Sequence, residues 1–193
     1  MKHQRLAWIL ALALCGILAA GCSPVAKKID NEALEEEFKN APEWVLTGHL
    51  KETTSAVGSA KIGKGGLQFA RTEALATGRD ELARQVSVKV ETLVNNFAQQ
   101  TGIGDDQMLD AFSKQVSRQI TDETLAGSRQ QDIWISPSAD VYVLVVMDNE
   151  QIKTAVRRQM VSSYRQDDAR WQEFKAKNGV EELDRELERA FGR

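Results

Sequence analysis

The chain has few of the side chains that supply covalent or metal chemistry. Its 193 residues include only two cysteines and two histidines. Cys15 lies within an apolar run, Cys22 follows that run directly, and His49 is the only histidine beyond His3. Because His49 is the one histidine after the apolar run, we exclude metal sites that are built from several imidazoles. The scarcity of cysteine leaves packing, rather than disulfides, to stabilise the fold.

Long hydrophobic runs are equally scarce. The one candidate is Leu6 to Ala20, which carries no charge and follows Lys2, His3 and Arg5. Its 15 residues fall short of the roughly 20 that a membrane-spanning helix needs. A basic start, a short apolar run and small residues at its end are typical of a secretory signal, which we predict over residues 1–21.

The signal ends in the sequence Leu-Ala-Ala-Gly-Cys at residues 18–22. This stretch resembles the lipobox of bacterial lipoproteins, with one departure at Ala19, where that motif prefers a larger aliphatic residue. The resemblance implies cleavage between Gly21 and Cys22, a diacylglyceryl group on the Cys22 thiol and an acyl group on its freed amine. A plain cleaved signal would not need this cysteine, and an uncleaved anchor would need a longer run. We expect no other cofactor and no metal.

The residue after the lipidated cysteine sorts such lipoproteins between membranes. Aspartate there retains the protein at the inner membrane, whereas this chain has Ser23. The resemblance therefore implies an outer-membrane location in a two-membrane bacterium, on its periplasmic or its surface face.

Charge argues against nucleic acid, and against an anionic headgroup layer, as the main partner. Removal of Lys2 and Arg5 with the signal lowers Lys+Arg from 25 to 23 against 28 Asp+Glu, which gives a net charge of −5. Such an ordinary acidic surface lacks the basic footprint of nucleic-acid binding proteins. The 172 remaining residues suit one domain with extensions.

The first half of the chain predicts a tether, two extended segments and a long helix. The tether covers residues 22–41, and Trp44–Leu50 and Thr53–Ile62 are predicted to be extended. Apolar residues at helical spacing predict a helix from about Gln68 to Gln100. Within it, Gly78 is predicted to mark a close approach to the sheet, because glycine is costly in a helix interior.

The second half predicts a helix, a hairpin and more helices. The first helix runs from Asp106 to Leu125 with Asp105 as its N-cap. β-Branched and aromatic residues on both sides of the Ser136–Asp140 turn predict a hairpin, whose second strand is apolar on both faces and therefore central. Helices are predicted from Asp148 or Asn149 onward and from Val180 to Phe191.

These elements predict an α+β fold, with helices on one side of a small antiparallel sheet of about three strands. Residues 42–148 form the predicted α+β domain, and residues 149–193 form a helical extension. The extension is expected to pack on the domain, with a projecting helix that pairs with a copy of itself or with a partner as the alternative.

Several motifs together resemble the Lpp-twenty family of bacterial lipoproteins over roughly Pro42 to Met147. They are Pro42-Glu43-Trp44-Val45, Ala56-Val57-Gly58-Ser59-Ala60, Ala70-Arg71 with Ala74 and Ala76, Arg79-Asp80-Glu81-Leu82-Ala83 and Val141-Tyr142-Val143-Leu144-Val145. The resemblance implies a small sheet wrapped around one long helix, as in dodecin. Its relatives include surface antigens and outer-membrane lipoproteins needed for flagellar assembly. It supplies no catalytic residues.

Other motifs have both a structural and a functional interpretation. The glycine-rich stretch Gly63–Gly66 lacks the spacing of a phosphate-binding loop and is predicted to be a turn. The carboxylate pairs Asp105-Asp106 and Asp167-Asp168 are predicted to be a cap and a solvated face rather than Ca²⁺ ligands. Glu35–Glu37 are predicted to form a solvated face, and His49 is predicted to be a half-buried strand residue. Trp44 is predicted to be either buried in the core or an exposed contact. Trp134 and Tyr142 are predicted to face each other across the hairpin.

The sequence therefore predicts a non-enzymatic, lipid-anchored outer-membrane protein. Its domain would contact envelope proteins or copies of itself, and family analogy implies a role in flagellar assembly. The alternative function is a lipid-anchored binding protein for a small ligand or for an envelope polymer such as peptidoglycan.

Overall fold

The computed structural model describes residues 31–103 and 106–192, with the backbone alone described at 106–111. Within these residues it contains seven helices and three strands. In chain order they are α1 (Asn31–Phe38), α2 (Glu43–Thr47), β1 (Thr54–Lys61), α3 (Gly66–Thr101), α4 (Asp106–Gly127), β2 (Arg129–Ile135), β3 (Asp140–Met147), α5 (Asn149–Tyr164), α6 (Asp168–Ala176) and α7 (Gly179–Phe191).

The strands form one antiparallel sheet in the order β1-β3-β2, which confirms the hairpin and its central second strand. β1 pairs with β3 from Thr54 opposite Met147 to Lys61 opposite Asp140. Alternate residues of β3 enter two separate apolar clusters, because its odd-numbered valines face the helices and Leu144 and Val146 face the other side. Cover on both faces explains why this strand lacks the usual apolar and polar alternation.

The 36-residue helix α3 packs along the sheet and confirms the predicted long helix. Its apolar stripe is almost fully buried and includes Leu82, Val86, Val90, Leu93 and Phe97. The helix ends at Gly102, whose φ of +64° suits glycine and whose N–H donates to the Ala98 carbonyl.

Gly58 on β1 and Gly78 on α3 bring strand and helix into close contact, as the sequence predicted for Gly78. A Cβ placed on Gly58 would lie 2.0 Å from the Ala74 carbonyl oxygen and 2.3 Å from the Gly78 nitrogen. A Cβ on Gly78 would lie 2.7 Å from Cγ2 of Val145. The two backbones can approach this closely only because neither glycine has a side chain.

The carboxyl-terminal helices pack into the same core rather than projecting from it. Phe174, Leu183, Leu187 and Phe191 are buried in the cluster that contains the α3 stripe. The rings of Tyr164 and Phe174 stack with centroids 4.8 Å apart, and burial raises the Tyr164 pKa to about 12. Burial disfavours the charged phenolate, so this tyrosine stays neutral to a higher pH than an exposed one.

Helix α6 begins after a short break at residues 165–167, within the stretch that the sequence predicted to be helical from Asp148 or Asn149 onward. Oδ1 of Asp167 accepts a hydrogen bond from the Arg170 N–H at 3.0 Å, so Asp167 is the N-cap of α6. Asp148 caps α5 in the same way through the Glu150 N–H, at 2.8 Å. The expectation for Asp105 as a cap lies outside the described residues.

The predicted extended segment Trp44–Leu50 is wrong, because residues 43–47 form the short helix α2. Pro42 has an extended ψ of 149° and precedes the first helical turn, where a missing N–H costs nothing. Gly48, with φ +75°, ends the helix by donating to the Trp44 carbonyl. This turn places the Trp44 side chain on the outer face of the sheet, and that burial outweighs local strand propensity.

The substitution Gly58→Ala should destabilise the fold strongly. The new methyl group would meet backbone atoms of α3, which cannot move aside as a flexible side chain would, so we expect a loss of about 3 kcal/mol or more in the free energy of unfolding. Gly63→Ala is the matched control, since a Cβ there has no atom within 4 Å and its φ is not positive. Urea denaturation measures both, and equal midpoints for the two variants would contradict the contact.

Candidate functional site

The residues predicted to carry the lipid, Gly21 and Cys22, lie outside the described residues. The structure does describe how the end of the predicted tether meets the domain. We call this region the tether junction: Glu37, Phe38 and Trp44 with the hairpin residues Asp132, Trp134, Ser138 and Tyr142.

Glu37 is bound to the turn of the hairpin. Its Oε1 lies 2.5 Å from Oγ of Ser138 and 3.4 Å from the backbone nitrogen of the same residue, which donates to it. Hydrogen bonds from the Ser136 and Ser138 hydroxyls, aided by the charge of Lys61, lower the Glu37 pKa. The expected solvated face at Glu35–Glu37 is therefore wrong for Glu37, which is half-buried and held by a contact 101 residues away in the chain.

Phe38 completes a cluster of three aromatic rings. Trp134 and Tyr142 lie opposite each other in the hairpin register with ring centroids 5.4 Å apart, which confirms the predicted pair. The Phe38 ring lies 6.1 Å from each of them, stacked on Trp134 and edge-on to Tyr142. Such offset and edge-on arrangements are the favoured geometries of aromatic pairs. Sequence reasoning missed Phe38, whose only signal was its spacing from Leu34.

Trp44 is buried against the outer face of the sheet, which confirms the prediction of a core position over that of an exposed contact. It is 6% exposed and packs with Leu144 and Val146. Its indole Nε1 donates a hydrogen bond to Oδ2 of Asp132 at 3.0 Å. The apolar ring and its single polar atom are thus both satisfied, as a buried tryptophan requires.

His49 lies beside an open cleft of about 570 Å³ between the loop after α2 and helix α3. The residue is exposed in a loop, so the prediction of a half-buried strand position is wrong. Its Nδ1 lies 2.9 Å from the Thr47 carbonyl oxygen. Across the cleft, the carboxylate of Glu81 already accepts hydrogen bonds from Arg84 and Gln85, which lower its pKa.

No group of three or more His, Cys, Asp or Glu side chains among the described residues is placed to hold a metal ion. The predicted turn at Gly63–Gly66 is confirmed, with the Gly66 N–H donating to the Gly63 carbonyl at 3.0 Å. A second open cleft, of about 470 Å³, lies between α4 and α5 and is lined partly by Met147 and Ala155. None of the helices in the described ranges combines the length and apolar character needed to cross a membrane.

Comparison with known families gives one match, over the part of the chain that contains the junction and the sheet. A family model described as LPP20 lipoprotein matches residues 42–148, which is more than half of the chain. A search of curated proteins finds no match.

The substitution Phe38→Ala should release the tether junction. Loss of both ring contacts removes the aromatic contact between this segment and the hairpin, so the Ala41 N–H, which donates to the Phe38 carbonyl, should exchange with solvent faster. Hydrogen exchange read by mass spectrometry measures the change. Leu34→Ala in the same helix is the control, since Leu34 is 45% exposed. Unchanged exchange in the Phe38 variant would show that the ring cluster does not hold the segment.

Proposed function

The chain belongs to the LPP20 lipoprotein family, and we propose from this membership that it is a lipid-anchored component of the bacterial envelope that works through protein–protein contacts. The family match supports the lipoprotein class and its attachment to a membrane. The finer role proposed is that of a non-enzymatic assembly component.

The proposed anchor is the lipidated Cys22. The residues before it supply the signal architecture, and the family match begins 20 residues after it, at Pro42. A diacylglyceryl group and an amide-linked acyl chain, such as palmitate, give more than one hydrocarbon chain, which stable anchoring needs. Ser23 supports the outer membrane as the destination, by the resemblance to sorted lipoproteins.

The proposed protein contact is made by the outer edge of β2. This strand lies at the edge of the sheet, its residues Arg129, Gln131, Asp132 and Ile135 are exposed, and no strand of the described residues pairs with its outer side. An exposed edge offers unpaired N–H and C=O groups to a strand from another chain. Confinement to a membrane raises the local concentration of such strands. A role in flagellar assembly remains a proposal by family analogy.

A binding lipoprotein for a small ligand or a peptidoglycan fragment is the second candidate. The cleft between α4 and α5 supports it, because apolar Met147 and Ala155 lie there beside the charged side chains of Glu123 and Arg158. Those two charges already pair with each other at 2.7 Å, however, so a ligand would have to compete with that ion pair. For this reason the assembly role is preferred.

Replacement of Cys22 should abolish lipidation and membrane attachment. Wild-type protein should partition into the detergent phase and carry the mass of the acyl chains, whereas Cys22→Ala should remain in the aqueous phase, because it has no thiol to acylate. Cys15→Ala is the matched control, since its cysteine lies within the signal and should be removed with it. Acylated Cys22→Ala protein would refute the proposed anchor.

Cross-linking of whole envelopes should reveal discrete protein neighbours that depend on the β2 edge. Gln131 is exposed and lies at the bulge between the paired residues Gln130 and Asp132, so Gln131→Pro should disturb the edge of β2 with little loss of paired residues. We expect this variant to lose the neighbours and Gln131→Ala to keep them, with thermal melting confirming that both fold. Neighbours that persist in the proline variant, or that are equally present with Cys22→Ala, would argue against anchored assembly through this edge. Envelopes without any reproducible protein neighbour would favour the ligand-binding candidate.

A further inference from the structure

Three large apolar side chains are exposed at one end of the sheet. Ile135, the last residue of β2, is 43% exposed, and Leu67 and Phe69 in the first turn of α3 are 43% and 63% exposed. The end of β1 meets the hairpin turn here, because the Ile62 N–H donates to the Ala139 carbonyl at 2.9 Å. We call this end, with Lys61 and Lys64, the tip face.

These three side chains are not part of the hydrophobic core. Ala70, the residue after Phe69, is fully buried, whereas Phe69 lies on the outside of the helix against the turn. A Cβ on Gly65 would come within 2.9 Å of Phe69, so the aromatic side chain lies directly over this glycine. Clustered exposed apolar residues of this kind mark surfaces of interaction.

The whole chain is acidic, but the tip face carries a local positive charge at Lys64 beside its exposed apolar side chains. Every charged residue from position 61 to position 71 is basic, namely Lys61, Lys64 and Arg71. Asp140 lies opposite Lys61 in the β1–β3 register, and the charge of Lys61 also lowers the pKa of Glu37, so these two carboxylates offset Lys61. Exposed Lys64 is the tip-face cation that can meet an anionic headgroup. Basic residues beside exposed apolar ones suit a lipid surface, where ammonium groups meet anionic headgroups and apolar side chains enter the interface.

The course of the chain points to the same partner. The chain enters the domain at Glu37, which is bound to Ser138 in the hairpin turn next to the tip face. Glu37 lies 15 positions after Cys22, so even a fully extended connection reaches only about 50 Å. A lipid on Cys22 therefore keeps this end of the domain, more than any other, near the bilayer.

We propose that the tip face lies against the headgroups of the membrane that holds the lipid anchor, with Leu67 and Phe69 inserted at the interface. This inference rests on the proposed anchor at Cys22. The contact orients the domain, so that the far end of α3 and the packed carboxyl-terminal helices face away from the bilayer.

A fluorophore at Phe69 tests the orientation in the full lipidated protein. The mature chain has no cysteine besides acylated Cys22, so Phe69→Cys gives a single labelling site. The labelled protein is reconstituted into vesicles of phosphatidylethanolamine and phosphatidylglycerol, some of whose headgroups carry a nitroxide quencher. Val88→Cys is the matched control, because Val88 is 54% exposed on the same helix, about 28 Å further along at 1.5 Å per residue.

We expect the nitroxide lipid to quench the label at 69 several-fold more than the label at 88, and Lys64→Glu to reduce the difference. Thermal melting of both cysteine variants should match wild type, since both sites are exposed. Equal quenching at both positions, or none at 69 in protein that floats with the vesicles, would overturn the orientation while leaving the anchor intact. Protein that fails to float with the vesicles would overturn the anchor and the orientation together.

Discussion

The close contact between Gly58 and Gly78 sets the geometry on which the rest of the fold depends. It lets the long helix lie directly on the edge strand, with the Gly58 and Gly78 backbones in contact. With α3 held this near, Val145 and the other inward valines of β3 reach the helix and close the core. A side chain at either glycine would separate the two layers and leave a gap along the whole interface, since protein interiors are packed too densely to absorb it.

Local patterns predicted most of the fold because the elements that they describe are long and regular. The stripe of α3, the β2–β3 hairpin and the central position of β3 all follow from apolar periodicity. Helix α2 was missed because Trp44, Val45 and Leu46 have strand propensity, while only Pro42 and Gly48 indicated a short helix. Its conformation is decided by the burial of Trp44 on a sheet face that is assembled from residues about a hundred positions later.

The candidate site likewise has parts that local sequence predicts and parts that depend on distant residues. Lipidation at Cys22 is predicted from adjacent residues alone, because the enzymes that process a signal act on a local motif. The tether junction was not predictable in that way, since Phe38 meets Trp134 and Tyr142 across about a hundred residues of chain. The burial of Glu186 was equally unpredictable, because this acidic residue stands in a highly charged helix and yet is 1% exposed. Its carboxylate is satisfied by hydrogen bonds from Gln100 and Arg189.

The tether junction shortens the free linker that would connect a lipid anchor to the domain. Docking of Glu37 and Phe38 on the hairpin removes residues 37–41 from the free linker between Cys22 and the domain. A shorter free linker confines the domain to a smaller volume above the membrane and raises the local concentration of its edge strand. It also couples orientation to anchoring, because the chain leaves the domain at the hairpin turn rather than at α2. In the proposed anchored form, a domain held at one end of its sheet would present the same strand edge to every neighbour, as ordered assembly in a membrane plane requires.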